Sequence, residues 1–252
     1  MSQRFQGRSV LVTGAAAGLG RGFAEHFAAE GAQLILVDVD EQGLAATAAR
    51  LRERGAVCAT HRVDLADEAQ IHAFGAQLCR EHPRLDVLVN NAGLAYGEIA
   101  TGFIGLGQEK WLRYLAINSL APLLLGEAVR PSLAAAKGNV INITSMASYM
   151  PATAYGVTKA TLASITYGMA THFAADGIRV NGIAPGIMET PASKNSLPAE
   201  TYARVQGSQM LKLHGVADDI ARLGLFLASD DARFITSEIV NCDAGNRMRG
   251  WR

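Results

Sequence analysis

Short apolar runs alternate along the chain with longer segments in which apolar residues recur at helical spacing. The runs are rich in Val, Leu and Ile and are bounded by Gly, Asp, Asn or Pro, which predicts strands buried on both faces. The predicted strands are Ser9–Thr13, Gln33–Asp38, Ala56–His61, Leu85–Val89, Asn139–Thr144, Ile178–Ile183 and Ser237–Asn241. The predicted helices are Gly18–Glu30, Glu41–Arg54, Glu68–Glu81, Glu109–Ala136, Thr153–Ala175 and Val216–Ala228. This alternation indicates an α/β protein with a doubly wound parallel sheet, three layers in a single domain over residues 1–252.

Composition and charge limit the kinds of molecule that the protein is expected to bind. The 252 residues are 49% hydrophobic, which suffices for a large core, and the formal net charge is zero with no long run of like charges. No apolar run is long enough to span a membrane, and the first residues lack a signal-type apolar region. We therefore expect a cytoplasmic protein that binds neither nucleic acid nor membranes.

The cysteines and histidines are scattered along the chain. Cys58, Cys79 and Cys242 form no C-x-x-C pair, and we expect buried small apolar side chains rather than disulfide partners, metal ligands or nucleophiles. The histidines show no metal-ligand spacing, so no metal site is expected.

A glycine-rich turn follows the first predicted strand. Gly14, Gly18 and Gly20 lie in the sequence Thr-Gly-Ala-Ala-Ala-Gly-Leu-Gly, between that strand and the first helix. Glycines allow a tight turn and let a diphosphate approach the free N–H groups of the helix N-terminus. A plain turn that starts a helix is the alternative, because the spacing differs from the common G-x-G-x-x-G.

Asp38 ends the second predicted strand, eighteen residues after Gly20, where a dinucleotide site places its ribose-binding carboxylate. Such a carboxylate favours NAD over NADP, because it accepts hydrogen bonds from the 2′-hydroxyl and repels a 2′-phosphate. The natural places for a compensating cation, Ala17 and Val39, are apolar, and Arg21 is expected to point along its helix. The alternative role for Asp38 is a helix cap.

Further candidate residues follow other predicted strands. Asp64 and Leu65 lie just past the third strand, at the edge where an adenine could lie, and Asn91 belongs to an Asn-Asn-Ala-Gly turn after the fourth.

Asn118 lies among apolar residues of the long helix, where a structural role is an open alternative. Residues 187–213 are punctuated by Pro and weakly helical, a pattern that suits a substrate lid.

Tyr155 and Lys159 are four residues apart near a helix start, after a hydroxyl-rich loop that contains Ser145. On one helical face the ammonium approaches the phenol, which favours a lowered phenol pKa and proton exchange with an alcohol or carbonyl. Taken alone, a Tyr-x-x-x-Lys spacing arises easily by chance, and a half-buried Tyr beside a solvated Lys is the alternative.

Taken in order, these motifs resemble the short-chain dehydrogenase/reductase family of single-domain, Rossmann-like proteins, from about Arg8 to Gly245. The resemblance implies an NAD-dependent oxidoreductase that interconverts a secondary alcohol and a ketone by hydride transfer. It implies a catalytic set of Asn118, Ser145, Tyr155 and Lys159. The implied cofactor contacts are Gly14, Gly18, Leu19, Gly20, Asp38, Asp64, Leu65, Asn91, Tyr155, Lys159, Pro185, Met188 and Thr190.

The resemblance also implies roles. Tyr155 would act as acid and base, Lys159 would lower its pKa and hold the nicotinamide ribose, Ser145 would orient the substrate oxygen, and Asn118 would order a water. The interval between the Ser and the Tyr is shorter here than is common in the family. We therefore predict a shortened loop after Ser145, with Ser148 as the alternative serine.

Other functions remain open at this point: a non-catalytic dinucleotide-binding sensor or scaffold, or a nucleotide-sugar epimerase or dehydratase, which usually has a larger C-terminal region. We expect a homotetramer, because the helices 109–136 and 153–175 carry more apolar faces than one sheet can cover. The expected substrate is a small alcohol or ketone in a hydrophobic pocket lined by Tyr96, Phe103, Tyr149, Met150 and residues 187–213.

Overall fold

The structure is a computed structural model that describes residues 3–190, Ser193 and residues 199–246. Its strands are β1 (Ser9–Thr13), β2 (Gln33–Asp38), β3 (Cys58–Arg62), β4 (Val87–Asn90), β5 (Asn139–Ile143), β6 (Arg179–Pro185) and β7 (Ile239–Cys242). They form one parallel sheet in the order β3-β2-β1-β4-β5-β6-β7. The order reverses between β1 and β4, and a doubly wound sheet opens a crevice at this point, beyond the carboxyl ends of its strands.

Helices cover both faces of this sheet. They are α1 (Gly18–Ala29), α2 (Glu41–Glu53), α3 (Glu68–Glu81), α4 (Glu98–Thr101), α5 (Gly107–Leu115), α6 (Ala121–Ala128), α7 (Arg130–Ala136), α8 (Ala154–Phe173), α9 (Ala199–Gly207) and α10 (Ala217–Ala228). Within β1, Val10 and Val12 pack into the same core as Phe23 of α1, whereas Leu11 packs into a second core with Phe74 of α3. Alternate residues of one strand thus feed two buried cores, which confirms the predicted three-layer α/β fold.

The predicted long helix 109–136 is wrong as a single element. It is divided into α5, a π-helical segment Ala116–Leu120, α6 and α7. Pro122 and Pro131 explain the divisions, because proline lacks the N–H that would continue the helical hydrogen bonds. Leu112 and Leu120 are 58% and 45% exposed, so this region is not buried on both sides within one chain.

The bounds of two strands and the burial of the cysteines differ from the predicted ones. Strand β3 begins at Cys58 and ends at Arg62, and β6 continues to Pro185. Cys58, Cys79 and Cys242 are free thiols but only partly buried, and Cys58 and Cys242 lie at the rim of a core rather than inside it. Among the described helices, none combines the length and apolarity needed to cross a bilayer.

Candidate active site

One cavity of about 1330 Å³, the cleft, lies beyond the carboxyl ends of β1 to β6. It runs from Asp38 at one end, past Tyr155, to Thr190 at the other. Of the residues predicted from sequence as catalytic or cofactor-binding, Gly20 and Asn118 do not line it. The residues that do are Gly14, Gly18, Leu19, Asp38, Asp64, Leu65, Asn91, Ser145, Tyr155, Lys159, Pro185, Met188 and Thr190.

The glycine-rich turn leads directly into α1. Gly14 and Gly18 have φ of +66° and +55°, which favours glycine, and a Cβ on Gly14 would approach Asn91 Nδ2 to 2.7 Å. Helix α1 starts after Ala17, whose side chain cannot cap it, and its first turn carries no carboxylate. The N–H groups and the positive end of the helix dipole therefore stay available to an anion in the cleft.

Asp38 is held beside this turn. Its Oδ2 accepts a hydrogen bond from the Ala16 N–H at 3.0 Å, and its Oδ1 accepts from Val39 and Asp40 at 2.8 and 3.1 Å. The cap of α2 is Asp40, which accepts from the Gly43 N–H, so the alternative of Asp38 as the cap is wrong. A carboxylate has about four acceptor positions, so Asp38 keeps acceptor capacity for a hydroxyl in the cleft.

Two cations lie in the wall near Asp38. Arg21 turns back instead of pointing along α1, because its guanidinium donates to the Ala16 carbonyl at 2.5 Å and to Thr47 Oγ1 at 3.2 Å. Arg62 is the register partner of Asp38 on β3, and its side chain is exposed. The prediction for Arg21 was wrong, and Arg62 was missed because its proximity follows only from the pairing of β2 with β3.

The residues expected near the adenosine are tied to the turns that carry them. Asp64 Oδ1 accepts from the Ala66 N–H at 2.9 Å. Asn91 Nδ2 donates to the carbonyls of Thr13 and Gly14 at 3.0 and 3.3 Å. Asn91 therefore links the turn after β4 to the glycine-rich turn, and its amide N–H groups are largely used by the protein itself.

Ser145, Tyr155 and Lys159 meet in the middle of the cleft. Ser145 follows β5, its side chain is hydrogen-bonded with Tyr155, and its Oγ also accepts from the Ala147 N–H at 3.1 Å. Lys159 is 4% exposed, and its Nζ donates to the Ile143 carbonyl at 2.7 Å and lies 5.9 Å from the centre of the Tyr155 ring. Helix α8 positions both residues, because Thr153 caps it by accepting from the Gly156 N–H.

Ser148 occupies a different position. Its Oγ donates to the Ser145 carbonyl at 2.7 Å, and Ser148 does not line the cleft. Among the described residues, Ser145 is therefore the serine that the shortened loop presents beside Tyr155.

The pKa of Tyr155 shifts in the direction opposite to the one expected. Burial raises the pKa of this half-buried tyrosine to about 12, while its hydrogen bond with Ser145 lowers it by a smaller amount. Burial also lowers the pKa of Lys159 to about 8. Desolvation disfavours the charged form of both groups, and it is the largest cause of both pKa shifts.

Asn118 is completely buried behind the cleft. Its Oδ1 accepts from the Leu94 N–H at 2.7 Å, and its Nδ2 donates to the Leu94 carbonyl and to Thr158 Oγ1. A Cβ on Gly93 would lie 3.1 Å from Asn118 Oδ1 and 3.5 Å from Lys159 Nζ, so a glycine there keeps this region open. The side chain of Asn118 therefore has a structural role. The main-chain carbonyl of Asn118 cannot accept the usual helical hydrogen bond, because the residue four positions later is a proline.

The far end of the cleft consists of the turn after β6 and of α9. Thr190 is 6% exposed and exchanges hydrogen bonds with Ser193, and its Oγ1 lies 3.4 Å from the Tyr96 hydroxyl. Tyr202 of α9 donates to Glu189 Oε1 at 3.3 Å, and His214 Nδ1 lies 2.6 Å from the same oxygen. Within the predicted lid 187–213, residues 191–192 and 194–198 lie outside the described residues.

The predicted substrate-contacting residues divide into two groups. Tyr96 and Met150 line the cleft. Phe103 and Tyr149 do not, so this part of the prediction is wrong. Phe103 instead packs edge-on against Trp111, with ring centres 5.6 Å apart.

Known proteins share this architecture. The sequence profile described as enoyl-(acyl carrier protein) reductase matches residues 14–247. Cis-4-hydroxycyclohexanecarboxylate dehydrogenase of Sinomonas cyclohexanicum is 34% identical, over 97% of this chain and 98% of that protein. Galactitol 2-dehydrogenase of Agrobacterium fabrum is also 34% identical, over 97% of this chain and 99% of that protein.

A solved structure is similar over the same length. It is 7 alpha-hydroxysteroid dehydrogenase complexed with NADH and 7-oxo glycochenodeoxycholic acid, with a TM-score of 0.89 and 27% identity, covering 97% of this chain and 96% of that one. The profile match and the full-length relatives agree with the order of motifs along the chain and with the seven-stranded parallel sheet. The chain belongs to the short-chain dehydrogenase/reductase family of oxidoreductases.

Proposed function

We propose that this protein is an NAD-dependent oxidoreductase that interconverts a secondary alcohol and a ketone, with Tyr155 as the general acid and base. The observation that carries the proposal is the meeting of Ser145, Tyr155 and Lys159 within the same cleft that holds Asp38 and the uncapped N-terminus of α1 at one end. A proton-transferring group and an anion-accepting turn within one cavity suit a dinucleotide and a small substrate bound side by side.

The dinucleotide fits the residues that the cleft presents. The glycine turn and the α1 N-terminus would hold the diphosphate, and Asp38 would accept hydrogen bonds from the adenosine ribose. Asp64 and Leu65 would border the adenine, and the turn of Asn91 would border the neighbouring ribose. The nicotinamide side would meet Pro185, Met188 and Thr190. NAD, when bound, supplies the acceptor or donor of the hydride.

The chain's own residues handle the proton. During alcohol oxidation the phenolate form of Tyr155 takes the hydroxyl proton and becomes the phenol, and during ketone reduction the phenol gives its proton to the carbonyl oxygen and becomes the phenolate. Ser145, already hydrogen-bonded with Tyr155, would hold the substrate oxygen beside the phenol. Lys159 would stabilise the phenolate while the proton is away, and it would bind the nicotinamide ribose.

Asn118 would act through its main chain. Its side chain is used by Leu94 and Thr158, but its carbonyl lies in the π-helical segment just before Pro122. That carbonyl is the group through which Asn118 would order a water near Lys159. The proposed lid would include α9, joined to the turn after β6 by the contacts of Glu189 with Tyr202 and His214.

The names of relatives support an alcohol as substrate. They include a hydroxycyclohexanecarboxylate dehydrogenase, galactitol 2-dehydrogenase and sorbitol dehydrogenase.

We further propose a homotetramer. Exposed apolar side chains support it: Ile104 lies just before α5, Leu112 lies on α5, and Leu120 ends the π-helical segment.

The test is turnover with NAD and a panel of cyclic and acyclic secondary alcohols, followed by the absorbance of the reduced nicotinamide. We expect reduction of NAD with at least one alcohol class and the reverse reaction with the matching ketone. NAD binding without turnover across the panel would instead favour the sensor or scaffold. Absence of NAD binding would contradict the proposal.

A further inference from the structure

A second cavity, the basal cavity, lies at the edge of the sheet opposite the cleft. Its volume is about 390 Å³, and its wall is formed where β1, β4, β5 and β6 begin and where α7 and α10 end. None of the residues proposed for the cleft lines it. Any ligand of this cavity therefore belongs to a separate site.

Basic side chains dominate the wall of the basal cavity. Among the described residues that line it, two are carboxylates, Asp86 and Asp230, and five are cations, which leaves a net charge of +3. The cations are Arg8, Arg84, Lys137, Arg179 and Arg233.

Part of this positive charge is already paired. Arg8 Nη2 lies 2.9 Å from Asp230 Oδ2, and Arg84 Nη2 lies 3.8 Å from Asp86 Oδ1. Arg179 is half-buried and donates to the main-chain carbonyls of Ile235 and Leu227 rather than to a carboxylate. Carbonyls hold a guanidinium in place without neutralising it, so Arg179 still contributes its charge to the cavity.

Lys137 and Arg233 complete the basic surface. Within the described part of the chain, neither side chain has a hydrogen bond or an ion pair. Lys137 stands in the left-handed region at the end of α7, with φ of 50°, and its stem passes Gly177. Both cations are therefore available to an anion that enters the basal cavity.

Asn139 provides an independent observation. It lines the basal cavity and is only 2% exposed, and its Nδ2 donates to the Leu227 carbonyl at 3.2 Å. Its Oδ1 is buried and has no hydrogen-bond partner within the described residues. A buried acceptor without a donor is unfavourable, and a ligand with a hydroxyl as well as negative charge would supply that donor.

We propose that the basal cavity binds a phosphate group that carries or adjoins a hydroxyl, either inorganic phosphate or a small sugar phosphate. The anionic oxygens would accept hydrogen bonds from Lys137, Arg179 and Arg233. The P–OH of inorganic phosphate, or a hydroxyl of the sugar, would donate to Asn139 Oδ1. Sulfate has a similar shape and charge but no hydroxyl at neutral pH, so it satisfies only the cations.

Isothermal titration of the full chain at constant ionic strength tests this proposal, with inorganic phosphate, sulfate and glycerol 3-phosphate as separate titrants. We expect saturable binding of one phosphate per chain and weaker binding of sulfate. Tighter binding of glycerol 3-phosphate than of inorganic phosphate would identify a sugar phosphate as the source, and the reverse would identify the free ion. Equal affinity for sulfate and phosphate would overturn the hydroxyl requirement.

The double variant Lys137→Gln/Arg233→Gln assigns the site. It should weaken phosphate binding by about tenfold and leave oxidoreductase activity unchanged. The matched control Arg50→Gln/Arg80→Gln removes two exposed cations outside both cavities and should change neither. The proposal would be overturned if Lys137→Gln/Arg233→Gln left the phosphate affinity unchanged, which is the result expected if phosphate binds at the glycine-rich turn instead. It would also be overturned if the control variant weakened phosphate binding equally.

Discussion

Asp38 and Arg62 are partners in the parallel register of β2 and β3, and both line the same end of the cleft. The carboxylate is held by three main-chain N–H groups, whereas the guanidinium is exposed. Asp38 would repel a 2′-phosphate, and like charges about 4 Å apart repel by roughly 4 kcal/mol at an effective dielectric constant near 20. The positive charge of Arg62 would attract the 2′-phosphate and partly offset this repulsion.

Cofactor selectivity follows from this pair. We predict that the wild-type enzyme favours NAD over NADP in kcat/KM by at least about tenfold. Asp38→Ala should shrink that ratio, and Arg62→Gln should enlarge it, because a cation beside the 2′ position is removed. A wild-type preference for NADP would show that the ribose carboxylate has been misplaced.

The serine variants test the shortened loop. Ser145→Ala should lower kcat/KM by about tenfold to a hundredfold, because it removes the hydrogen bond with Tyr155. Ser148→Ala should stay within about threefold of the wild type, because Ser148 only bonds the Ser145 carbonyl. Steady-state kinetics of both variants decide the assignment, and the larger loss in Ser148→Ala would reverse it.

The pH dependence of ketone reduction tests the protonation states of the site. With a pKa of about 12 for Tyr155 and about 8 for Lys159, the phenol and the ammonium are both protonated at neutral pH. As pH rises through about 8, Lys159 loses its charge before Tyr155 loses its proton, so log kcat/KM should be level below this pH and fall above it. A profile that stays level to the ordinary lysine pKa of about 10.4 would contradict this prediction.

Oligomerisation is tested by light scattering. We predict a mass about four times the 26.6 kDa of one chain, because Leu112 and Leu120 leave apolar surface exposed. Leu112→Glu/Leu120→Glu should lower the observed mass. Val57→Glu changes a side chain that is 67% exposed beside the edge strand β3, and it should have no effect. A wild-type mass of a single chain at micromolar concentration would refute the prediction.

The fold could be predicted from sequence because each strand is an apolar run that ends in a turn signal. The same runs placed Asp38, Ser145 and Pro185 at one edge of the sheet, since parallel strands end together. The division of the long helix was not predicted, because apolar residues recur at helical spacing on both sides of Pro131 and the break that a proline indicates was given too little weight. That residue's missing N–H prevents a continuous helix through Val129.

Other features depend on tertiary structure. Arg62 reaches the cleft through strand register, and Arg21 turns back because Thr47 of α2 lies within reach. The pKa shift of Tyr155 was predicted in the wrong direction because the spacing of Tyr and Lys reveals the neighbouring charge but not the depth of burial. Phe103 was placed in the pocket because a sequence does not show that it packs on Trp111.

The turnover of Tyr155→Phe tests the central claim most directly. The ring packs with Ile99, Leu106 and Ala154, and phenylalanine preserves that packing while it removes the transferable proton. We predict retained thermal stability and NAD affinity with a loss of kcat of about 10² to 10⁴-fold, the usual contribution of general acid and base catalysis. Turnover within about tenfold of the wild type, in a variant that still binds NAD, would contradict the assignment of Tyr155 as the proton-transferring residue.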